Sequence, residues 1–116
     1  MADAPMTVVE TEEFLRKAKP LMSESERGRV VMFVGANPEA GKIIPDTGGV
    51  RKLRWSLEGR GKRGGARVIY YYRCESLPLF LLSAYPKNRK ESLSKAERNE
   101  MKRLGPALVA GYPRKA

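Results

Sequence analysis

Capping signals and helically spaced apolar residues organise the first half of the chain. Residues 6–10 contain consecutive β-branched side chains, which predict a short strand. Thr11 has the position of a helix N-cap, and the helix that it opens must end before Pro20. Ser23 and Glu26 have the spacing of a capping box and predict the start of a second helix. The apolar stripe of that second helix consists of Val30, Val31 and Val34.

The apolar pattern changes to a period of two in the second half. Residues 50–55 alternate between apolar and basic side chains, as expected of a strand with one buried face. Residues 67–72 are β-branched and aromatic, and residues 79–85 are nearly all apolar, so both predict further strands. The glycine-rich basic segment 58–65 predicts a loop. Short connections between the strands favour antiparallel hairpins, with the last strand inside the sheet.

A final helix follows the strands. Ser94 and Glu97 again have capping-box spacing. Gly105-Pro106 predicts that this helix ends before Leu108.

The element order predicts an α+β fold. Two N-terminal helices should pack on one face of a small antiparallel sheet of about four strands, with a C-terminal helix added and the opposite face open. We expect one domain spanning residues 1–116, with a core at about 6–104 and a tail at 105–116.

Charge is distributed unevenly along the chain. The net charge is +10, yet residues 1–49 hold six basic and eight acidic residues, whereas residues 50–103 hold fifteen basic and five acidic ones. This concentration predicts a polyanionic partner. The sequence shows no apolar stretch long enough to span a membrane and no secretory signal, and its one cysteine, Cys74, suits a reducing compartment, so we expect a cytoplasmic protein without a membrane partner.

The residue types restrict the chemistry. The chain has no histidine, which excludes a Ser-His pair, and one cysteine cannot form a zinc site, so no metal or cofactor is expected. A basic and aromatic set remains, in which Lys52 and Arg54 share the strand face opposite Leu53 and Trp55. The basic members are Arg51, Lys52, Arg54, Lys62, Arg63, Arg67, Lys87 and Arg89, and the aromatic members are Trp55, Tyr70, Tyr71, Tyr72 and Tyr85.

Such a set can bind RNA and supports its cleavage without a metal. The substrate carries its own nucleophile, the ribose 2′-OH, so the protein must supply a base, cations for the phosphate oxygens and an acid for the leaving oxygen. A lysine can act as the base when neighbouring cations lower its pKa.

Three motifs resemble toxins of the RelE superfamily, with the closest likeness to the HigB-type branch. They are TGGVRKLR at 47–54, GKRGGARVIYY at 61–71 and YPKNRK at 85–90, and the resemblance covers about residues 6–104. It implies a RelE-like (microbial-RNase-like) fold and the toxin of a type II toxin-antitoxin system. The implied activity is that of an mRNA interferase, a ribosome-dependent endoribonuclease that inhibits translation. The implied partners are the ribosome with its 16S rRNA, mRNA and a cognate antitoxin, through which the complex could bind operator DNA.

The resemblance also implies roles for individual residues. Lys52 matches the general base, Arg54 and Arg67 match phosphate ligands, and Lys87 matches the acid or a second phosphate contact. In the place of a tyrosine that the RelE pattern has near its final helix, this chain has Leu93, so a stacking role would move to Tyr85 or be absent. The expected contacts to RNA or the ribosome are Arg51, Lys62, Arg63, Tyr85, Arg89 and Lys90.

Three other functions remain open from the sequence. A ParE-type toxin shares the fold and poisons DNA gyrase, but that branch needs no RNA-cutting cluster. A non-catalytic nucleic-acid-binding module would use the same charges. A degenerate toxin would be retained for its antitoxin complex.

Overall fold

The computed structural model describes residues 6–57, 65–87 and 94–112. The strands and helices of these residues follow the predicted order, with one additional short strand. In chain order they are β1 (Val8–Glu10), α1 (Glu12–Ala18), α2 (Glu24–Ala36), β2 (Lys42–Ile43), β3 (Val50–Trp55), β4 (Ala66–Tyr71), β5 (Leu79–Pro86) and α3 (Lys95–Gly111).

The strands form one sheet in the order β1-β5-β4-β3-β2. The hairpin pairings of β3 with β4 and of β4 with β5 are antiparallel, as predicted, and β5 lies inside the sheet. The expectation of about four antiparallel strands was wrong in two details, because β2 adds a fifth strand and β1 pairs with β5 in parallel. The chain makes this parallel pair through a long connection containing all the intervening elements, so local sequence could not indicate its direction.

The three predicted helix starts are confirmed. The Phe14 N–H donates to the Thr11 hydroxyl, which itself donates to the Leu81 carbonyl oxygen at 2.7 Å and so ties α1 to β5. Ser23 with Glu26, and Ser94 with Glu97, form complete capping boxes.

The predicted end of α3 was wrong. The helix passes through Pro106 and continues to Gly111, so residues 105–111 are not an irregular tail. Pro106 removes one backbone donor, but Leu108 and Val109 beyond it pack against the sheet, and this burial favours continuing the helix. No helix in the described residues is long and apolar enough to cross a membrane.

Helices cover both faces of the sheet. The first core cluster places Phe14, Ala18, Val30 and Val34 of α1 and α2 against one face, where the predicted stripe of α2 is buried. The second core cluster lies under α3 on the other face, which we had expected to be open. Its buried sheet residues include Val50, Ile69, Tyr71, Phe80, Leu82 and Tyr85.

Tyr70 and Arg51 hold the segment between α2 and β2 against the first face. The Gly41 N–H donates to the Tyr70 hydroxyl, which donates to the Pro38 carbonyl oxygen, both at 2.8 Å. The Arg51 guanidinium donates to the carbonyl oxygens of Gly41 at 2.8 Å and Glu39 at 3.2 Å. Burial raises the pKa of the Tyr70 phenol.

Replacing Tyr70 with phenylalanine should lower the free energy of unfolding by about 1–3 kcal/mol, because a buried donor and acceptor lose their partner. Urea unfolding of the variant measures this effect. Tyr72→Phe is the matched control, since the hydroxyl of the half-buried Tyr72 has no hydrogen bond to a described residue, and it should change stability by less than about 0.5 kcal/mol. Equal losses in the two variants would contradict the anchoring role of Tyr70.

Gly105 allows α3 to lie flat on the Tyr71 ring. A Cβ at Gly105 would lie 2.5 Å from Tyr71 Cε1, so Gly105→Ala should destabilise the protein by about 1–3 kcal/mol. A Cβ at Gly28, in α2, would meet no atom within 4 Å, and Gly28→Ala should stabilise by about 0.5–1 kcal/mol. Thermal unfolding of both variants should therefore show midpoint shifts of opposite sign, and shifts of the same sign would argue against this packing.

Candidate functional site

The strand register aligns the predicted cations in rows on the face that α3 partly covers. Arg54 lies opposite Arg67, and Arg67 lies opposite Tyr85, so one row crosses β3, β4 and β5. Lys52 lies opposite Ile69 in the neighbouring row. Directly opposite residues of antiparallel strands share a face with Cβ atoms about 4.5–5.5 Å apart, so Lys52, Arg54 and Arg67 form one group.

Lys87 lies at the same end of the sheet. Its N–H donates to the Gly65 carbonyl oxygen at 2.9 Å, which extends the ladder between β4 and β5 by one step. Its side-chain Cδ is 3.8 Å from where a Cβ of Gly65 would be. Because Lys87 follows Tyr85 by two positions, the pleat assigns it to the face of Tyr85 and Arg67. The structure therefore brings all four predicted catalytic residues to one end of one sheet face; we call Lys52, Arg54, Arg67 and Lys87 the cation cluster.

Arg67 is the most constrained member of the cation cluster. It is 8% exposed, whereas Arg54 is exposed. Within the described residues, neither arginine forms an ion pair or side-chain hydrogen bond. A buried charge without a counter-charge is costly, and like charges directly opposite across two strands repel. An anion bound between the two guanidinium groups would relieve both costs.

A buried turn fixes where β3 begins, and therefore where Lys52 and Arg54 lie. The Thr47 hydroxyl donates to the Ile44 carbonyl oxygen at 2.6 Å and accepts from the Val50 N–H at 3.2 Å. Gly48 and Gly49 follow with φ angles of 74° and 124°, a backbone conformation that side-chain-bearing residues rarely adopt. This turn accounts for the two glycines of the TGGVRKLR motif.

Two of the other predicted contacts, Arg51 and Tyr85, are described, and neither adds an accessible group to the cation cluster. Arg51 lies on the opposite face, where it holds the segment before β2, and is therefore separated from the cation cluster. Tyr85 lies in the arginine row but is 5% exposed and packs in the second core cluster, which leaves no open ring face for stacking. The remaining predicted contacts, together with Leu93, lie outside the described residues: they are Lys62, Arg63, Arg89 and Lys90.

Lys42 is a cation that sequence reasoning missed. It lies on β2 directly opposite Lys52 and is exposed, so it extends the row of Lys52 to the sheet edge. A two-residue strand has too few positions to show a period of two, and the only available signal was the short apolar run that follows Lys42.

A cleft adjoins the cation cluster on the same face. It has a volume of about 370 Å³ and lies between α1 and α3, over β4 and β5. Its lining residues are Glu13, Lys17, Ile69, Leu82, Ser83, Ala84, Tyr85, Glu97, Glu100, Met101 and Leu104. The described residues contain no group of His, Cys, Asp or Glu side chains that could hold a metal ion.

Comparison with known families agrees with this arrangement of motifs. A family model described as the RelE toxin of the RelE/RelB toxin-antitoxin system matches residues 6–113. The chain belongs to the RelE toxin family. The match spans nearly the whole sheet-and-helix domain and includes α3, so it extends beyond the region of resemblance seen in the sequence.

Membership of the RelE family establishes the coarse biology of the chain. It is the toxin of a toxin-antitoxin system, and this class of toxin has a cognate antitoxin as its partner. The five-stranded sheet with helices on both faces is compatible with the RelE-like fold that the motifs implied. The assignment to the HigB-type branch stays a prediction.

The two arginines on opposite faces of this RelE-family toxin should respond differently to loss of charge. Arg67→Met should raise the free energy of unfolding by about 1 kcal/mol, because it removes a buried charge that has no counter-charge among the described residues. Arg51→Met should lower it by about 1–3 kcal/mol, because two backbone carbonyls lose their donor. Urea unfolding at one ionic strength compares the two, and a destabilised Arg67→Met variant would show that this guanidinium is structural.

Proposed function

We propose that this toxin is an mRNA interferase, a ribosome-dependent endoribonuclease that inhibits translation by cutting mRNA at the cation cluster. The observation that carries the proposal is the pair Arg54 and Arg67, which lie directly opposite each other without an ion-pair partner among the described residues. Two guanidinium groups at this spacing suit the oxygens of one phosphate, because arginine binds phosphate through parallel N–H donors.

The proposed chemistry uses groups that the RNA and the toxin carry. Lys52 accepts the proton of the ribose 2′-OH, and the 2′-oxygen attacks the adjacent phosphorus. Arg54 and Arg67 bind the non-bridging oxygens, whose charge increases in the transition state. Lys87 donates a proton to the departing 5′-oxygen or contacts a second phosphate. Bond formation at the 2′-oxygen and cleavage at the 5′-oxygen leave a 2′,3′-cyclic phosphate and a 5′-OH.

The same proposal assigns the remaining partners. The ribosome, with its 16S rRNA, presents the mRNA, which places the toxin in the cytoplasm. The antitoxin blocks the cation cluster by covering or distorting it, and the toxin-antitoxin complex binds operator DNA through the antitoxin. The high net positive charge of the toxin favours binding to both the 16S rRNA and the mRNA, because each phosphate that a cation contacts releases counterions.

Replacing Lys52 and Arg67 together with alanine should abolish mRNA cleavage, a loss of at least about 1,000-fold if each residue contributes 10²-fold or more. Primer extension on a known transcript after induction in growing cells measures the breaks. Lys19→Ala removes an exposed cation at the end of α1 and is the control that should cleave normally. Full activity in the double variant would refute the assignment, and intact transcripts with a DNA-damage response to the unaltered toxin would instead favour gyrase poisoning.

A lysine-to-arginine exchange separates catalysis from binding. Lys52→Arg keeps the positive charge, but a guanidinium cannot serve as a base near neutral pH. We expect ribosome binding within about 3-fold of the original and cleavage reduced by about 100-fold or more. The ribosome affinity of purified toxin and the cleavage rate on programmed ribosomes test the two parts, and undiminished cleavage would exclude Lys52 as the base.

A further inference from the structure

The cleft lies at the edge of β5, between α1, which packs on the first face, and α3, which packs on the face that carries the cation cluster. The parallel pairing of β1 covers only residues 79–81 of β5, so α1 packs beside the rest of that strand. α3 crosses the face that carries the cation cluster and contributes Met101 and Leu104 to the wall of the cleft. The two helices therefore leave a cavity of about 370 Å³ above β5, rather than closing over it.

The accessible apolar surface of this cleft comes from α3. Met101 and Leu104 are half-buried there, whereas Ile69 and Leu82 beneath them are almost fully buried. Met and Leu at this spacing lie on one helix face. Apolar surfaces of this kind bury the faces of a nucleobase, while polar groups at the rim contact its edge.

Only one carboxylate of the cleft is uncommitted within the described residues. Glu13 forms ion pairs with Arg16 and Lys17, and Glu97 accepts the Ser94 N–H in the capping box of α3. Glu100 lines the cleft, is exposed, and has no hydrogen bond or ion pair with a described residue. On a strongly basic protein, a carboxylate at the mouth of a cavity weakens attraction to phosphate there and favours a ligand with N–H donors.

The cleft is continuous with the proposed phosphate site. Tyr85 lines the cleft and lies opposite Arg67, while Ile69 lines the cleft and lies opposite Lys52. Neighbouring strands are about 4.8 Å apart, so the cleft begins within one or two strand spacings of the cation cluster. A nucleotide whose phosphate lies between Arg54 and Arg67 can therefore extend its base toward β5 and α3.

We propose that this cleft receives one nucleobase of the bound RNA and that Glu100 accepts a hydrogen bond from the exocyclic amino group of that base. The proposal rests on the proposed function and adds a specificity-determining residue to it. Cytosine, adenine and guanine present amino N–H donors, whereas uracil presents a carbonyl oxygen in the place of the cytosine amino group. Glu100 therefore selects against uracil at one position beside the scissile phosphate.

Cytosine and uracil provide a matched test, because they share ring size and differ in the group that faces the carboxylate. The probes are 2′-O-methyl trinucleotides, which cannot be cleaved, with cytosine or uracil placed at each position in turn. Titration of the whole toxin at low ionic strength should show about 10-fold tighter binding of cytosine at one position, with movement of the Met101 methyl signal in NMR spectra. Glu100→Gln should bring the ratio close to one, because an amide can pair with either base.

A control variant and a second readout keep the two proposals distinguishable. Glu24→Gln removes the same charge from α2, outside the cleft, and should keep the preference. Mapping of mRNA ends should show uracil depleted at one position by the original toxin and restored there by Glu100→Gln.

Three experimental results distinguish failure of the base site from failure of the nuclease proposal. RNA cleavage without a cytosine preference, or with a preference that Glu100→Gln retains, overturns the base site and leaves the nuclease intact. Absence of both trinucleotide binding and mRNA breaks overturns both proposals. Movement of the Met101 signal by the purified antitoxin but by none of the trinucleotides would show that the cleft is a protein groove, which also overturns the base site.

Discussion

The antiparallel pairing of β4 with both of its neighbours is the constraint on which the rest of the structure depends. Every residue of β4 is buried, and each lies opposite a partner on β3 and another on β5. This register assigns Arg67 and Ile69 to the α3 face and Val68 and Tyr70 to the face of α1 and α2. A slip of the register by one residue would exchange the two sets and move the Arg67 guanidinium into the first core cluster. Burying a charge there is unfavourable, so the same apolar core that fixes the register also fixes the position of the cation cluster.

An irregularity in β5 completes the arginine row. The register shifts between Ile69 and Tyr70, so β5 contains one extra residue. On the N-terminal side of the shift in β5, Leu81 packs in the first core cluster. On its C-terminal side, Tyr85, which is four residues later, packs in the second core cluster. In an unbroken strand these two residues would share a face. The bulge therefore directs Tyr85, and the Lys87 turn after it, toward Arg67, which is a use of bulges common beside functional sites.

Local rules predicted the elements that depend on local physics. The helix caps at Thr11, Ser23 and Ser94 depend on contacts with residues three positions away. The alternation of apolar and basic residues around Leu53 likewise shows which side chains of β3 share a face. The same alternation, applied strictly, would have separated Arg51 from the cation cluster. Other features depend on packing between segments that are distant in the sequence: the parallel direction of β1, the existence of β2 and the passage of α3 through Pro106. The bulge depends on which strands pair. A short stretch of sequence therefore could not predict any of them.

The distribution of charge shows how the fold accommodates a costly site. Arg51 donates from its guanidinium to two backbone carbonyl oxygens and contributes to stability, whereas Arg67, from the neighbouring strand, is buried among apolar and like-charged groups. Tolerance of such a residue requires a surplus of stability elsewhere, which the two core clusters on opposite sides of the sheet supply. α3 has a double effect: by covering this face it buries Tyr71 and Phe80, and by stopping short of α1 it leaves the cleft beside the arginine row. The face therefore combines a rigid apolar support with two guanidinium groups that have no counter-charge among the described residues, an arrangement that suits the polyanionic ligand proposed above.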